Sequence, residues 1–441
     1  MDKIIPQENR EREGRRQQHH LRRRGSRLLF YLGIFGPGLI AANAGNDPGG
    51  IYTYSTMGAQ FGYQMLWTLV VLTIGMAIVQ EMASRMGAVT GKGLSDLIRE
   101  NFPLRLTAFI MLIFLIANGG IIVSEFIGIT AALGLFGVPG WIAAPAGGIL
   151  IWLLVARGSY ARVEKVFLAL TFTFFAYIIS AFLAKPDWGQ VLTGTVIPTI
   201  QLNGSYILTL IAATGTTISP YMQLYVQSAV VDKGISMSDY KYERFEVYVG
   251  AVFSNTIAFF IVVATAATLF AHSGGKGVAL ASAADAAQAL TPFLGVFARD
   301  AFALGLIGAA FLAAAVLPLS TSYSIAEALG MERGVGRRWR EAPFFWTLFT
   351  LLIVVGVVVA MVPNLPVVPI LLNLYMLNGL LLPIILFTIL RLVNDKRLMG
   401  RYTNGLFYNI LAYALTIIVS FLALLYLVTQ VLGLFGIQFP G

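Results

Sequence analysis

The sequence predicts an all-α integral membrane protein of eleven spans, from its composition, the blocking of its apolar residues and the placement of its positive charge. Of the 441 residues, 57% are hydrophobic and only 12% are charged; a soluble chain of this size has too much surface to be so poor in charge. The apolar residues fall in runs of about twenty, the length a helix needs to cross roughly 30 Å of hydrocarbon. Both facts argue against a soluble enzyme. The chain has no cysteine, so disulfides, thiolate metal sites and cysteine nucleophiles are excluded. Its three histidines are His19 and His20 in the N-terminal tail and His272 in a loop. None lies in an apolar run, which excludes a membrane-embedded histidine site.

The runs place spans at 28–57, 63–88, 105–135, 139–157, 162–184, 205–231, 245–271, 299–328, 343–362, 367–392 and 405–433. With the N-terminus inside, 27 of the 30 Lys and Arg residues fall on the inner side, and only Lys185, Lys276 and Arg299 fall outside. That asymmetry supports an odd number of spans, a cytoplasmic N-terminus and an outer C-terminus in the plasma (inner) membrane. A net charge of +9 could suggest nucleic acid, but the positive residues sit between apolar runs, as inner loops require. The basic head, residues 1–27, reads as a topology-fixing tail rather than a cleaved signal, since no short apolar core with a small-residue cleavage site follows it.

Spans 1 and 6 carry Gly and Pro in mid-run, and they lie five spans apart. Five is odd, so a second block of five starts on the opposite side of the membrane, the arithmetic of an inverted repeat. Interrupted helices at matching positions point to the substrate site. The chain divides accordingly into the tail, a first repeat at 28–184, an outside loop at 185–204, a second repeat at 205–392, and span 11 with the C-terminus at 393–441.

Span 1 reads Gly45-Asn46-Asp47-Pro48-Gly49-Gly50. Pro48 lacks an N–H and clashes with the preceding turn, and the glycines let the chain leave helical geometry. The unwound backbone bares carbonyls, here including that of Ala44, which need protein, water or an ion as partner. Asp47 sits at the break, where a carboxylate costs roughly 2.5–3.5 kcal/mol on insertion scales. It is either a cation ligand beside bared carbonyls or the cap of the half-helix that follows. Span 6 reads Ala213-Thr214-Gly215-Thr216-Thr217-Ile218-Ser219-Pro220-Tyr221-Met222-Gln223. The hydroxyls of Thr216, Thr217 and Ser219 either face a ligand or bond back to carbonyls one turn earlier. The expected metal residues are Asp47, Ala44, Gly50, Thr216, Thr217 and Ser219, with Asn46, Gly215, Pro220, Tyr221 and Met222 lining the site. Asn255, Ser320 and Thr321 are expected to bond between helices, and Glu327 to meet loop arginines. No phosphate loop, catalytic triad spacing or soluble domain is visible, so no enzyme is expected.

At these segments the chain resembles the natural resistance-associated macrophage protein family of divalent-metal transporters, most of all its magnesium-transporting branch. Asp47-Pro48-Gly49-Gly50 stands where the family has Asp-Pro-Gly-Asn. Gln80-Glu81-Met82-Ala83-Ser84-Arg85-Met86-Gly87 and Ser124-Glu125-Phe126-Ile127-Gly128 also look like the family. The resemblance implies a LeuT-like fold of two inverted five-helix repeats plus helix 11, with helices 1 and 6 discontinuous. It implies no cofactor, since the metal is cargo, and no partner beyond the divalent ion and the bilayer: neither nucleic acid nor an obligatory protein.

The departures have a chemical direction. The family's helix 1 Asn is Gly50, and its helix 6 Met-Pro-His is missing. Aligned on the proline, Ser219 and Tyr221 replace the Met and His; aligned on Gln227-Ser228, Pro220 and Met222 do. The family's helix 10 Gln falls at Tyr375, so the resemblance implies that Tyr375 also lines the site. Losing a thioether leaves hard oxygens, which suit Mg²⁺ and Mn²⁺ over softer ions, and Gly50 leaves room for the waters Mg²⁺ retains. The family's proton stations are also missing: Ile122 replaces the helix 3 Asp, and span 9, from Phe344 to Val362, carries no charge. Glu125 remains as the one residual proton candidate. The expected function is uptake of Mg²⁺, with Mn²⁺, uncoupled from protons. The alternatives are proton-coupled Mn²⁺/Fe²⁺ uptake and, more remotely, amino-acid transport, which an aspartate at the break would oppose by repelling a carboxylate.

Overall fold

The computed structural model describes residues 46–157, 172–201, 203–334, 337–363 and 365–434, and among these there is no strand. The helices are α1 (Pro48–Phe61), α2 (Leu66–Thr90), α3 (Leu94–Asn101), α4 (Leu104–Gly134), α5 (Gly140–Ala156), α6 (Phe175–Leu183), α7 (Trp188–Val196), α8 (Gly204–Thr217), α9 (Pro220–Asp232), α10 (Tyr240–Thr265), α11 (Ala298–Leu329), α12 (Pro343–Ala360), α13 (Val367–Val393) and α14 (Leu406–Leu434). Seven helical stretches among the described residues are long and apolar enough to cross a bilayer. They contain α2, α4, α10, α11, α12, α13 and α14, which correspond to spans 2, 3, 7, 8, 9, 10 and 11 of the sequence reading, and α5 supplies the shorter span 4. Residues 162–171 of span 5 and residues 28–45 of span 1, with Ala44, lie outside the described residues.

Span 6 is two helices. α8 ends at Thr217, Ile218 (φ −119°, ψ 61°) and Ser219 (φ −69°, ψ 138°) leave helical geometry, and α9 restarts with Pro220 at its first position. At 1.5 Å per residue neither half is much over 20 Å long, so the membrane is crossed only by the two together. In span 1, α1 restarts the same way: Asp47 is extended (φ −67°, ψ 172°) and Pro48 takes the first helical position. Proline is tolerated there because that amide would have no partner anyway.

α10 starts five residues before the expected position. Tyr240–Arg244 continue the helix because Glu243 meets Lys233 at 3.2 Å and so carries its charge at low cost. Two helices of eight or more residues lie where only loops were expected, besides single turns at Ala283–Ala287, Thr291–Leu294 and Lys396–Met399. α3 buries Leu97 and Ile98 and packs mainly against α11. α7, in the 185–204 segment, is capped by Asp187, which accepts from the amides of Gly189 (2.9 Å) and Gln190 (3.2 Å).

Small residues set the closest approaches, as expected where apolar helices associate without a hydrophobic driving force. A Cβ on Gly215 of α8 would stand 2.1 Å from the Tyr375 carbonyl and 2.5 Å from the Gly379 amide of α13. A Cβ on Gly128 of α4 would stand 2.3 Å from Pro48 Cγ. Polar groups join the layers as expected: Asn118 Nδ2 donates to Thr321 Oγ1 (2.9 Å) between α4 and α11, and Asn255 Nδ2 reaches Met76 Sδ on α2 (3.5 Å). Glu327 meets loop residue Arg333 at 2.8 Å. Gly215→Ala is expected to cost about 1–3 kcal/mol through overpacking against backbone, read as a lower unfolding temperature in detergent; an unchanged transition would contradict the α8–α13 contact.

Candidate functional site

The two breaks face α13, and α13 answers both. Asp47, 1% exposed, caps α1: its Oδ1 accepts from the Gly50 amide at 2.7 Å, and its carbonyl accepts from Ile51 at 2.9 Å. Its Oδ2 accepts from the hydroxyl of Tyr375 on α13. The two readings of Asp47 therefore share one geometry: one oxygen caps, and the other turns across the break. Gly49 makes this possible, since a Cβ there would fall 1.8 Å from Tyr375 Cε2. Glu125 of α4 is fully buried and faces both Asp47 and Tyr375. Asn46 Nδ2 lies 3.3 Å from both the carbonyl and the hydroxyl of Ser254 on α10.

At the second break, Ser219 occupies the position of Asp47 but does not cap α9. Its Oγ bonds back to the Gly215 carbonyl (2.6 Å), and Thr217 Oγ1 does the same to Ala213 (2.7 Å) while meeting Tyr54 Oη of α1 at 2.9 Å. For these two hydroxyls the back-bonded arrangement holds. Thr216 Oγ1 is buried and makes no hydrogen bond. Asn378 of α13, one turn beyond Tyr375, donates to the Gly215 carbonyl (2.8 Å) and to Ser219 Oγ (3.0 Å). Gln223 Nε2 reaches the Ser219 carbonyl at 3.3 Å. Tyr221 is buried in the electrostatic neighbourhood of Asp47, Glu125 and Tyr54. Met222 turns its sulfur toward Gln80 Nε2 of α2, 3.9 Å away.

The breaks are short of donors. Asn46 Oδ1, Glu125 Oε2, Thr216 Oγ1, Gln223 Oε1 and Asn378 Oδ1 are buried without a hydrogen-bond partner. An unsatisfied acceptor in a low-dielectric interior is costly and calls for a bound donor or cation. All five atoms are hard oxygens. No group of three or more His, Cys, Asp or Glu able to hold a metal occurs among the described residues, so any cation here is met by amide, hydroxyl and backbone oxygens around Asp47 and Glu125. Tyr54, Asn378 and Gln223 were not singled out in the sequence. Asn378 was findable as a side-chain amide inside the apolar run of span 10, whereas Tyr54 reads as ordinary packing.

The fold and its paired breaks define a multi-pass membrane transporter with a LeuT-like fold, two inverted five-helix repeats and an eleventh helix. Solved structures of that shape match nearly the whole chain. The manganese transporter of Eremococcus coleocola aligns with a TM-score of 0.73 at 20% identity, over 94% of this chain and 90% of that one. MhsT, solved with L-phenylalanine, aligns with a TM-score of 0.55 at 16% identity, over 89% of this chain and 98% of that one. The sequence profile described as natural resistance-associated macrophage protein-like matches residues 38–429. The chain belongs to that family. A curated relative, the divalent metal cation transporter MntH of Klebsiella pneumoniae, is 30% identical over 288 residues, 63% of this chain and 68% of its own length. Membership makes the chain a membrane transporter and not an enzyme, with no resident cofactor.

Gly49→Ala is expected to push the Tyr375 ring off Asp47. Combined with Tyr375→Ala it should recover much of the lost stability, a coupling of roughly 0.5–3 kcal/mol in a double-mutant cycle; purely additive losses would contradict the contact.

Proposed function

We propose that the chain imports Mg²⁺, and Mn²⁺ with it, through the plasma (inner) membrane without moving protons. Its relatives carry divalent metal cations by name, and one solved structure of the same shape is a manganese transporter. The carrying observation is the set of buried oxygen acceptors without donors around Asp47 and the span 6 break. A divalent cation would satisfy them, and they favour hard ions. Ser219 shares with Asp47 the residue position before a helix-starting proline, which favours the alignment on Pro220. Met222, one turn further and directed at Gln80, is then a packing residue rather than a soft ligand. In this reading Asp47 and Thr216, with backbone carbonyls at the two breaks, supply the ligands, Gly50 leaves room for retained waters, and Tyr375, Thr217 and Ser219 hold the surroundings in place.

The absence of charge from α12 and the apolar Ile122 on α4 support uncoupled transport. The membrane potential then drives uptake, at about 2.3 kcal/mol per charge per 100 mV. The same reading places the N-terminus in the cytoplasm and the C-terminus outside, with repeats at 28–184 and 205–392. Glu125 favours a second reading, proton-coupled Mn²⁺/Fe²⁺ uptake, because it is a buried carboxyl group that faces Asp47.

Asp47→Asn keeps the helix cap but removes the charge. Mg²⁺ flux into proteoliposomes should fall by at least about tenfold, a loss typical even of an outer-shell partner, with the unfolding temperature held; full flux would discard the site. Gly50→Asn with Ser219→Met should shift preference toward softer ions in competition flux, and an unchanged Mg²⁺/Mn²⁺ ratio would count against the ligand argument. A pH dye inside the vesicles decides coupling: acidification that tracks metal entry replaces the uncoupled reading with the second one.

A further inference from the structure

A separate cavity of about 490 Å³ lies where the C-terminal half of α2 meets the starts of α10 and α14. Its wall holds two guanidiniums, Arg85 and Arg244, with the side chains of Tyr240, Tyr402 and Tyr408. Glu81, also in the wall, lies 3.3 Å from Arg85 and 4.0 Å from Arg244. It orients both cations but neutralises only one. Arg85 is held further by the Tyr402 carbonyl at 2.8 Å, and its buried Nε makes no hydrogen bond. The Arg244 side chain is 52% exposed. Arg401 stands at the rim, 2.8 Å from the Tyr402 hydroxyl.

The mouth of the cavity is apolar. Leu406 and Phe407 open α14 and are 80% and 72% exposed. From Leu406 an exposed stripe follows α14 through Ile410, Ile417, Phe421 and Leu424, spaced to share one helix face. A basic pocket therefore continues directly into a lipid-facing apolar rail.

We propose that this cavity binds the phosphate headgroup of an anionic phospholipid whose acyl chain lies along α14. Guanidinium forks match phosphate oxygens, and tyrosines suit the headgroup level of a bilayer. Inorganic phosphate would meet the same guanidiniums but would leave the rail unused, so the shape selects a lipid. The site uses none of the residues of the two breaks and does not depend on which metal is carried.

The test uses the full-length protein in detergent, loaded with dioleoylphosphatidylglycerol, dioleoylphosphatidylcholine or inorganic phosphate, and read by native mass spectrometry and thermal unfolding. Phosphatidylglycerol should be retained over phosphatidylcholine and should raise the unfolding temperature. Arg244→Gln should cut its retention about fivefold, the weight of one basic residue at an anionic surface, with the lipid-free unfolding temperature unchanged. Leu406→Gln, at the exposed mouth, should also weaken retention of phosphatidylglycerol. Lys241→Gln serves as control, because its ammonium lies over the Tyr242 ring, 4.9 Å from the centroid, and outside the cavity wall. Equal retention of the two lipids, an unaffected Arg244→Gln, or an equal loss in Lys241→Gln would overturn the proposal. Equal stabilisation by inorganic phosphate alone would also overturn it, leaving an anion site without a lipid.

Discussion

One carboxylate cap holds the transport core together. α1 begins in the middle of the protein, where its first amides have no carbonyls to meet, and Asp47 meets them. In a low-dielectric interior such a pairing is strong when made and costly when missing. The neighbours each serve it. Pro48 brings no amide that would need a partner, Gly50 donates the N–H, and Gly49 leaves the gap through which Tyr375 reaches the second oxygen. The negative charge also complements the positive end of the half-helix. The direction of the Asp47 carboxylate is thus fixed by the backbone and Tyr375.

The second break is built without charge. Ser219 stands at the equivalent position but turns its hydroxyl back to Gly215, and the gap is bridged from outside by Asn378. Formal charge is concentrated at the first break, on Asp47 and nearby Glu125, while the second contributes neutral oxygens and an unused hydroxyl on Thr216. Such a division suits an ion that must be attracted strongly but released again.

Most of the architecture was legible because span length and Gly/Pro interruption are local properties. The ends of α4, α5, α11 and α13 fall within a residue or two of the apolar runs, and the restarts at Pro48 and Pro220 follow from proline chemistry. The short helices α3 and α7 were missed. Their signals, the amphipathic Leu-Ser-Asp-Leu-Ile of one and the Asp187 cap of the other, are weak beside runs of twenty apolar residues. The orientation of hydroxyls was not legible at all: Thr216 and Thr217 are adjacent and chemically identical, yet only Thr217 finds Tyr54, 163 positions away. The Tyr375–Asp47 contact spans 328 positions and depends on the space left by Gly49. Such pairings are set by packing, which a linear pattern does not encode.

The glycine-to-glycine contact between α8 and α13 has a mechanical consequence. With Gly215 pressed on the Tyr375 carbonyl and Gly379 on the Ile211 carbonyl, the two helices lack the clearance to slide and must travel as one lever. A hinge between the halves of span 6 would fall at Ile218 and Ser219, whose backbone leaves helical geometry, with α8 clamped to α13. In the proposed transport cycle, the peptides that interrupt span 6 would then be its joint as well as its source of bared oxygens.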